Sequence, residues 1–419
     1  MILSTHRLHQ LLLQLQRRPI SGLISVVASL LLSACATTDP SVIDRLQPRP
    51  QELLRDASFA APPTPIDAGQ LLAMSPEMVN YAERYIRPQA DKLGTRRALI
   101  DALYKRSALQ ISYDADYTRT AAEAFRDRRG NCLSLVIMTA AFAQYLNLPF
   151  NFRSVYVDEL WSRSKELSFL AGHVNLSLSS PIRERRTQVL ESDAWIVDFE
   201  PEPLTRQQRS VEISQSTVIA MYMSNRAAES LNVQRVDEAY WWARAALLVE
   251  PRYLPAYNTL GVVYRRHGDL SASEAVLRQV LSQEPDNLHA LSNLALVLGD
   301  QGKLAERDTL RLRLSELQPV APFKYLDDGI AAMHRGDYPA ARALFAKQLA
   351  RTAYSDEAHF WMALASYAQQ DLRQAAEHLQ LAGESSVNSQ KRELYAAKLN
   401  HLRDLERLNR ASQRATALR

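Results

Sequence analysis

Residues 257–285 read YNTLGVVYRRHGDLSASEAVLRQVLSQEP, and the places of Tyr257, Leu260-Gly261, Tyr264, Gly268 and Pro285 in this run return along the C-terminal half. Pro251, Pro285 and Pro319 stand 34 apart, and so do Gly268, Gly302 and Gly336, with Gln370 in the fourth place. Around these turn positions His267-Gly-Asp-Leu, Gln301-Gly-Lys-Leu, Arg335-Gly-Asp-Tyr and Gln369-Gln-Asp-Leu recur in register. Five residues beyond each turn position lie Ala239, Ser273, Arg307, Ala341 and Ala375. Small residues there let neighbouring helices approach closely. Arg307 departs from that rule, so the third repeat is expected to pack loosely or to turn outward.

A period of 34 is that of the tetratricopeptide repeat, a helix–turn–helix unit that buries its apolar face only by stacking on copies of itself. Residues 221–387 therefore read as about five such repeats forming an all-α superhelix. The resemblance to this family implies a concave face that binds a peptide or protein partner; a plain structural spacer is the alternative. Asn225, Asn258 and Asn293 lie near the same period on first helices, where the family often uses Asn to hold a peptide backbone. They are the candidate peptide-binding residues. Residues 388–419 read as a charged capping helix and tail.

At the other end, residues 1–34 hold Arg7, Arg17 and Arg18, no carboxylate, and an apolar run over 20–32. That run has signal-peptide length and is too short to span a bilayer comfortably. Leu32-Ser33-Ala34-Cys35 resembles the bacterial lipobox, which implies acylation of Cys35 and a lipid anchor in the membrane. Ala36 rather than Asp follows, which by the same resemblance favours the outer membrane, facing the periplasm. Residues 35–65, rich in Pro, Thr, Ser and charge, read as a tether with one short helix at most.

The formal charge of +4 comes largely from the signal segment; without it 47 basic residues face 46 acidic ones. A nearly neutral chain has no electrostatic footprint for nucleic acid. With 47% hydrophobic residues and 12 glycines in 419 positions, the composition is that of a folded, mostly helical protein of two or three domains. Beyond Cys35 the chain has one more cysteine, Cys132, so no internal disulfide is expected.

Cys132 follows Arg129-Gly130-Asn131 and precedes an apolar helical run, Leu133 to Leu146. Thr120 with Glu123 fits a capping box just upstream, and Asn131 fits a helix cap. A thiol in the first turn of a helix meets unpaired N–H groups and the positive end of the dipole, and both favour the nucleophilic thiolate. The pattern then switches to period two. Phe150 to Val157, His173 to Ser179 and Trp195 to Phe199 read as strands. Val174, Leu176 and Leu178 form one face of the second, so His173, Asn175 and Ser177 are expected to look away from the core. Asp198 is a charge in an apolar run and needs a partner or a function. Cys132, His173 and Asp198 thus stand in the order of a nucleophile, a base and a carboxylate that orients the base. The bland alternatives are a buried thiol acting as a small hydrophobe, a structural histidine and a salt-bridged aspartate.

Over roughly residues 80–205 these pieces resemble the bacterial transglutaminase-like superfamily. The matching pieces are Thr120-Ala-Ala-Glu and Arg129-Gly-Asn-Cys132, then Gly172-His173-Val-Asn, then Trp195-Ile-Val-Asp198. The resemblance implies a papain-like α+β domain over residues 66–220, with a central helix under an antiparallel sheet. It also implies acyl-transfer chemistry on amides, more often hydrolysis than crosslinking. No HExxH run is present and no calcium loop is recognisable, so neither a metal nor another cofactor is expected. The whole chain reads as a lipid-anchored cysteine hydrolase or acyltransferase acting on a peptide or protein, with repeats that bind substrate or partner. Its rival is a catalytically silent envelope adaptor that uses the repeats alone.

Overall fold

Ser75 accepts a hydrogen bond from the Met78 amide and so opens the first long helix of the computed structural model, with Pro76 at its first position. The structure describes residues 50–62, 65–104, 109, 111–114, 117–155, 161–164, 167–170, 173–179, 194–199, 210–318, 320, 323–386 and 389–417. The signal segment and Cys35 lie outside them, as does Gly172. Pro76–Tyr81, a π turn at Ala82–Ile86 and Arg87–Leu93 run on as α1. Gly94 breaks it at φ 81°, and α2 (Thr95–Tyr104) follows. Two short parallel segments, β1 (Ser112–Tyr113) and β2 (Arg129–Gly130), flank α3 (Ala121–Asp127). The capping box of Thr120 and Glu123 is fully formed at the start of α3.

Helix α4 (Cys132–Tyr145) is buried at every residue from Leu133 to Ala143. A helix that is apolar on all sides belongs inside a core. Asn147, in the left-handed region at φ 54°, and Pro149 end this stretch and lead into β3 (Phe150–Val155). A hairpin of β4 (Trp161–Ser164) and β5 (Leu167–Leu170) precedes β6 (His173–Leu178), β7 (Trp195–Val197) and β8 (Ser210–Ile213). Among the described residues β7-β6-β3-β8 form a four-stranded antiparallel sheet, and α4 packs on β3 and β6. Val174, Leu176 and Leu178 lie in the core, in keeping with their alternation. The opposite face differs from the expectation, because His173, Asn175 and Ser177 are buried too. Just beyond β7, Asp198 lies on both His173 and Asn175.

Ten further helices follow in five pairs among the described residues: α5 (Gln215–Asn232) with α6 (Val236–Val249), α7 (Leu254–His267) with α8 (Leu270–Gln283), α9 (Leu288–Asp300) with α10 (Leu304–Leu317), α11 (Lys324–His334) with α12 (Tyr338–Arg351), and α13 (Asp356–Ala368) with α14 (Leu372–Ser385). A long helix, α15 (Ser389–Ala417), packs on α14. The turn inside each pair has one left-handed residue: Gln234 at φ 62°, Gly268 at 94°, Gly302 at 74°, Gly336 at 77° and Gln370 at 63°. After the turns Asp269, Asp337 and Asp371 cap α8, α12 and α14 by accepting from the amides of Ala272, Ala340 and Gln374. Gly261 is required by contact: a Cβ there would stand 2.8 Å from Leu277.

The two helices of the third pair pack on each other as in the other pairs, but its second helix lies open to solvent. Helix α10 has no buried residue, and Leu304 and Leu312 are 51% and 63% exposed. The stem of Arg307 lies along Gly299 in van der Waals contact. Helix α10 scarcely touches α11, and the apolar interior divides there into one core that reaches Leu298 and another that starts at Leu326.

Within the stretch read as a tether, residues 50–60 are a packed strap and not a free linker. Phe59 stacks on Tyr240 with ring centroids 3.9 Å apart, and the Tyr240 hydroxyl donates to Asp56. The Tyr264 hydroxyl donates to Leu53 O, Trp241 Nε1 donates to Ala60 O, and Arg55 pairs with Asp269. Burial of one aromatic ring and the satisfied carbonyls beside it hold this strap to α6 and α7. Among the described residues no helix is long and apolar enough to cross a membrane.

Candidate functional site

Gly130 brings the chain so close to α4 that a Cβ there would lie 2.7 Å from Ser134 Cβ. Asn131 then caps the helix: its Oδ1 accepts from the Ser134 amide at 2.9 Å and from Ser134 Oγ at 2.8 Å. Cys132 is the first helical residue and is partly buried, with the first-turn amides beside it.

His173 stands at the start of β6. Its Nε2 lies 2.8 Å from Asp198 Oδ1 and 2.9 Å from Oδ2. Asn175 donates from Nδ2 to Asp198 Oδ2 at 3.1 Å, so the carboxylate is held from two sides. Ring and carboxylate are thus brought together, 25 residues apart in sequence. Among the described residues no hydrogen bond joins Cys132 to His173. A groove of about 930 Å³ lies elsewhere, lined by Tyr81, Tyr85, Asp101, Phe125 and Arg128 among others, and none of the three residues lines it. No group of three or more His, Cys, Asp and Glu side chains forms a metal site among the described residues.

Around the cap the structure gathers residues that the sequence did not single out, and with them Asn225, which it did. Thr118 Oγ1 accepts from Asn131 Nδ2 at 2.9 Å. The Arg119 amide donates to Ser134 Oγ at 2.8 Å, while its buried guanidinium pairs with Asp114 and Asp127. From helix α5, Glu229 Oε1 accepts from the Thr118 amide at 2.7 Å, and Asn225 Nδ2 donates to Thr118 Oγ1 at 3.3 Å. Burial lifts the Glu229 carboxyl to about 7, against the opposing pull of Thr118 and Arg226. Arg226 itself lies over the Tyr117 ring, 4.0 Å from its centroid. One signal for Glu229 was present in the sequence: it follows Asn225 by four, so the two share a helix face.

The three asparagines expected to hold a peptide are engaged within the chain. Asn225 serves Thr118, and Asn293 Nδ2 donates to Asn258 Oδ1 at 3.0 Å, both residues being buried.

Residues 258–306 and 326–388 match the family described as tetratricopeptide repeat, and the helix pairs with their left-handed turns agree with it. No curated protein matches the chain. Among solved structures it resembles one titled as a functional characterization of Pseudomonas aeruginosa pilF, with 18% identity and a TM-score of 0.27 over 44% of this chain and 84% of that one. PilW, titled a widely conserved type IV pilus biogenesis factor, shares 19% identity with a TM-score of 0.24 over 44% and 93%. Yeast Tom70 shares 14% with a TM-score of 0.32 over 45% and 40%. All three scores are low, and nothing about partners or activity follows from them.

Proposed function

We propose that this chain is a protein-binding module of the bacterial cell envelope, held at a membrane by lipid on Cys35, whose repeats take a protein partner. The observation that supports this most directly is α10, which buries none of its residues and leaves Leu304 and Leu312 exposed in the middle of the repeat array. Apolar side chains left open on a stacked repeat are a natural seat for another protein. A photocrosslinking residue in place of Leu312, in the full chain in its native cells, should give one discrete protein adduct. The same residue in place of the exposed Leu93 should not. Identical adducts from both positions would remove this reading.

A second reading has its own observation, the His173–Asp198 pair braced by Asn175. On this reading the protein is also a cysteine hydrolase or acyltransferase for an amide of a peptide or protein. Cys132 Sγ attacks the carbonyl carbon, and the thiol proton passes to His173. With Nε2 on Asp198, the nitrogen that takes it is Nδ1. The Cys132 amide helps to hold the oxyanion at the helix start, and His173 returns the proton to the leaving amine. Water or a second amine then cleaves the thioester. Hydrogen bonds of this kind tighten when substrate binds, so an open Cys132–His173 contact is compatible with it.

The test is alkylation of Cys132 in the full chain by iodoacetamide, read by peptide mass spectrometry so that Cys35 does not count. Fast labelling well below the ordinary thiol pKa of about 8.5, abolished in His173→Ala, is the expected result. The same slow profile in both proteins would leave the repeats as the sole functional part.

A further inference from the structure

The segment just before the cap of α4 is fastened to a different part of the chain. Thr118 sits between Asn131, the residue before Cys132, and helix α5. Its amide proton is bound by Glu229 and its hydroxyl oxygen by Asn225 and Asn131, so both polar groups are fixed. One residue on, the Arg119 amide holds Ser134 Oγ, which also donates to the cap. The chain that carries the thiol therefore has few ways to move without breaking contacts to α5.

We infer that Glu229 and Asn225 are positioning residues for Cys132, acting through Thr118 and Asn131 to fix the start of α4. This rests on the thiol reading above, and it assigns the repeats a task besides partner binding. Neither residue touches the sulfur. Their effect is on where the sulfur stands relative to the His173 ring and on the orientation of the amide that would hold an oxyanion. Small displacements of such groups are costly because attack needs a narrow geometry. Asn225, expected from the sequence to hold a peptide, is bonded to Thr118 of its own chain.

The test compares the pH profile of Cys132 alkylation in the full chain for wild type, Glu229→Leu, Glu229→Gln and Asn225→Ala, with folding followed by circular dichroism. Glu229→Leu removes the acceptor for the Thr118 amide, whereas Gln keeps a carbonyl oxygen there. The expected result is a rate at pH 7 about tenfold lower in Glu229→Leu with its profile moved toward that of His173→Ala, and recovery of most of the rate in Glu229→Gln. Should Glu229→Leu fail to fold, Asn225→Ala, which removes only the contact to the Thr118 hydroxyl, carries the same expectation with a smaller change. Wild type active toward the reagent through His173, with folded variants indistinguishable from it, would overturn the positioning role and leave the thiol reading intact. A wild-type thiol that does not depend on His173 would overturn both.

Discussion

A methyl group on residue 130 would meet Ser134 Cβ at 2.7 Å, in the first turn of a helix that has no room to retreat. Gly130→Ala should therefore destabilise the globular half by about 1–3 kcal/mol, the usual range for overpacking, seen as a lower urea midpoint. Glu229 makes a prediction of opposite kind. Its carboxyl is raised by burial from 4.5 to about 7 in the folded chain, so the neutral form is the one that folding favours. That contribution is fully present below about pH 4.5 and is lost as pH rises through about 7. Relative to Glu229→Gln, wild type should lose up to about 3 kcal/mol of stability between pH 5 and pH 8, and a flat difference would contradict the assignment. Cys132, His173 and Asp198 were visible in the sequence because each breaks or starts a local pattern. The link from Thr118 to Glu229 spans 111 residues and follows no period, which hid it. The burial of the His173 face was equally hidden, since alternation reports which side is apolar and not what later covers the other.

The repeats were legible at the scale of elements because one steric need returns at each turn. Left-handed backbone is unstrained for glycine and costs other residues roughly 1 kcal/mol. Three of the five turns use Gly, and the first and last use Gln234 and Gln370 at nearly the same angle. Gln370→Gly should then raise the stability of the last repeat by a few tenths to about 1 kcal/mol, and Gly302→Ala should lower that of the third by about 1 kcal/mol. Both are read as shifts of the urea midpoint, and a loss of stability in Gln370→Gly would mean that its side chain does more than occupy a turn. What the pattern left out are short segments without a period of their own. Among the described residues strand β8 joins the sheet by pairing with β3, and β1 with β2 form a bridge two residues long. Residues 50–60 looked like a linker because composition alone describes them; it is Tyr240 and Tyr264 that turn them into a strap.

Across the whole molecule the division of the apolar interior matters more than the number of repeats. Stacked repeats are as cooperative as the interfaces between neighbours, and one poor interface uncouples the two sides. Here the poor interface lies between α10 and α11. The cores on its two sides end at Leu298 and begin at Leu326. Among the described residues a hydrogen bond from Arg392 to Tyr113 O, 3.4 Å long, spans from α15 to β1, and a partly buried bond of this kind contributes about 1 kcal/mol. A bond of that size does not by itself enforce a single transition. Urea unfolding followed by circular dichroism should show two steps, the first belonging to the segment from α11 to α15, whose core is the smaller. Tryptophan fluorescence separates them, because Trp361 packs on the second core and Trp241 and Trp242 on the first. In Trp361→Phe the fluorescence should follow the later step alone while circular dichroism still shows both. Coincident single transitions by both probes would mean that the array is joined through α10 after all, and the exposed Leu304 and Leu312 would then need a partner within the chain rather than outside it.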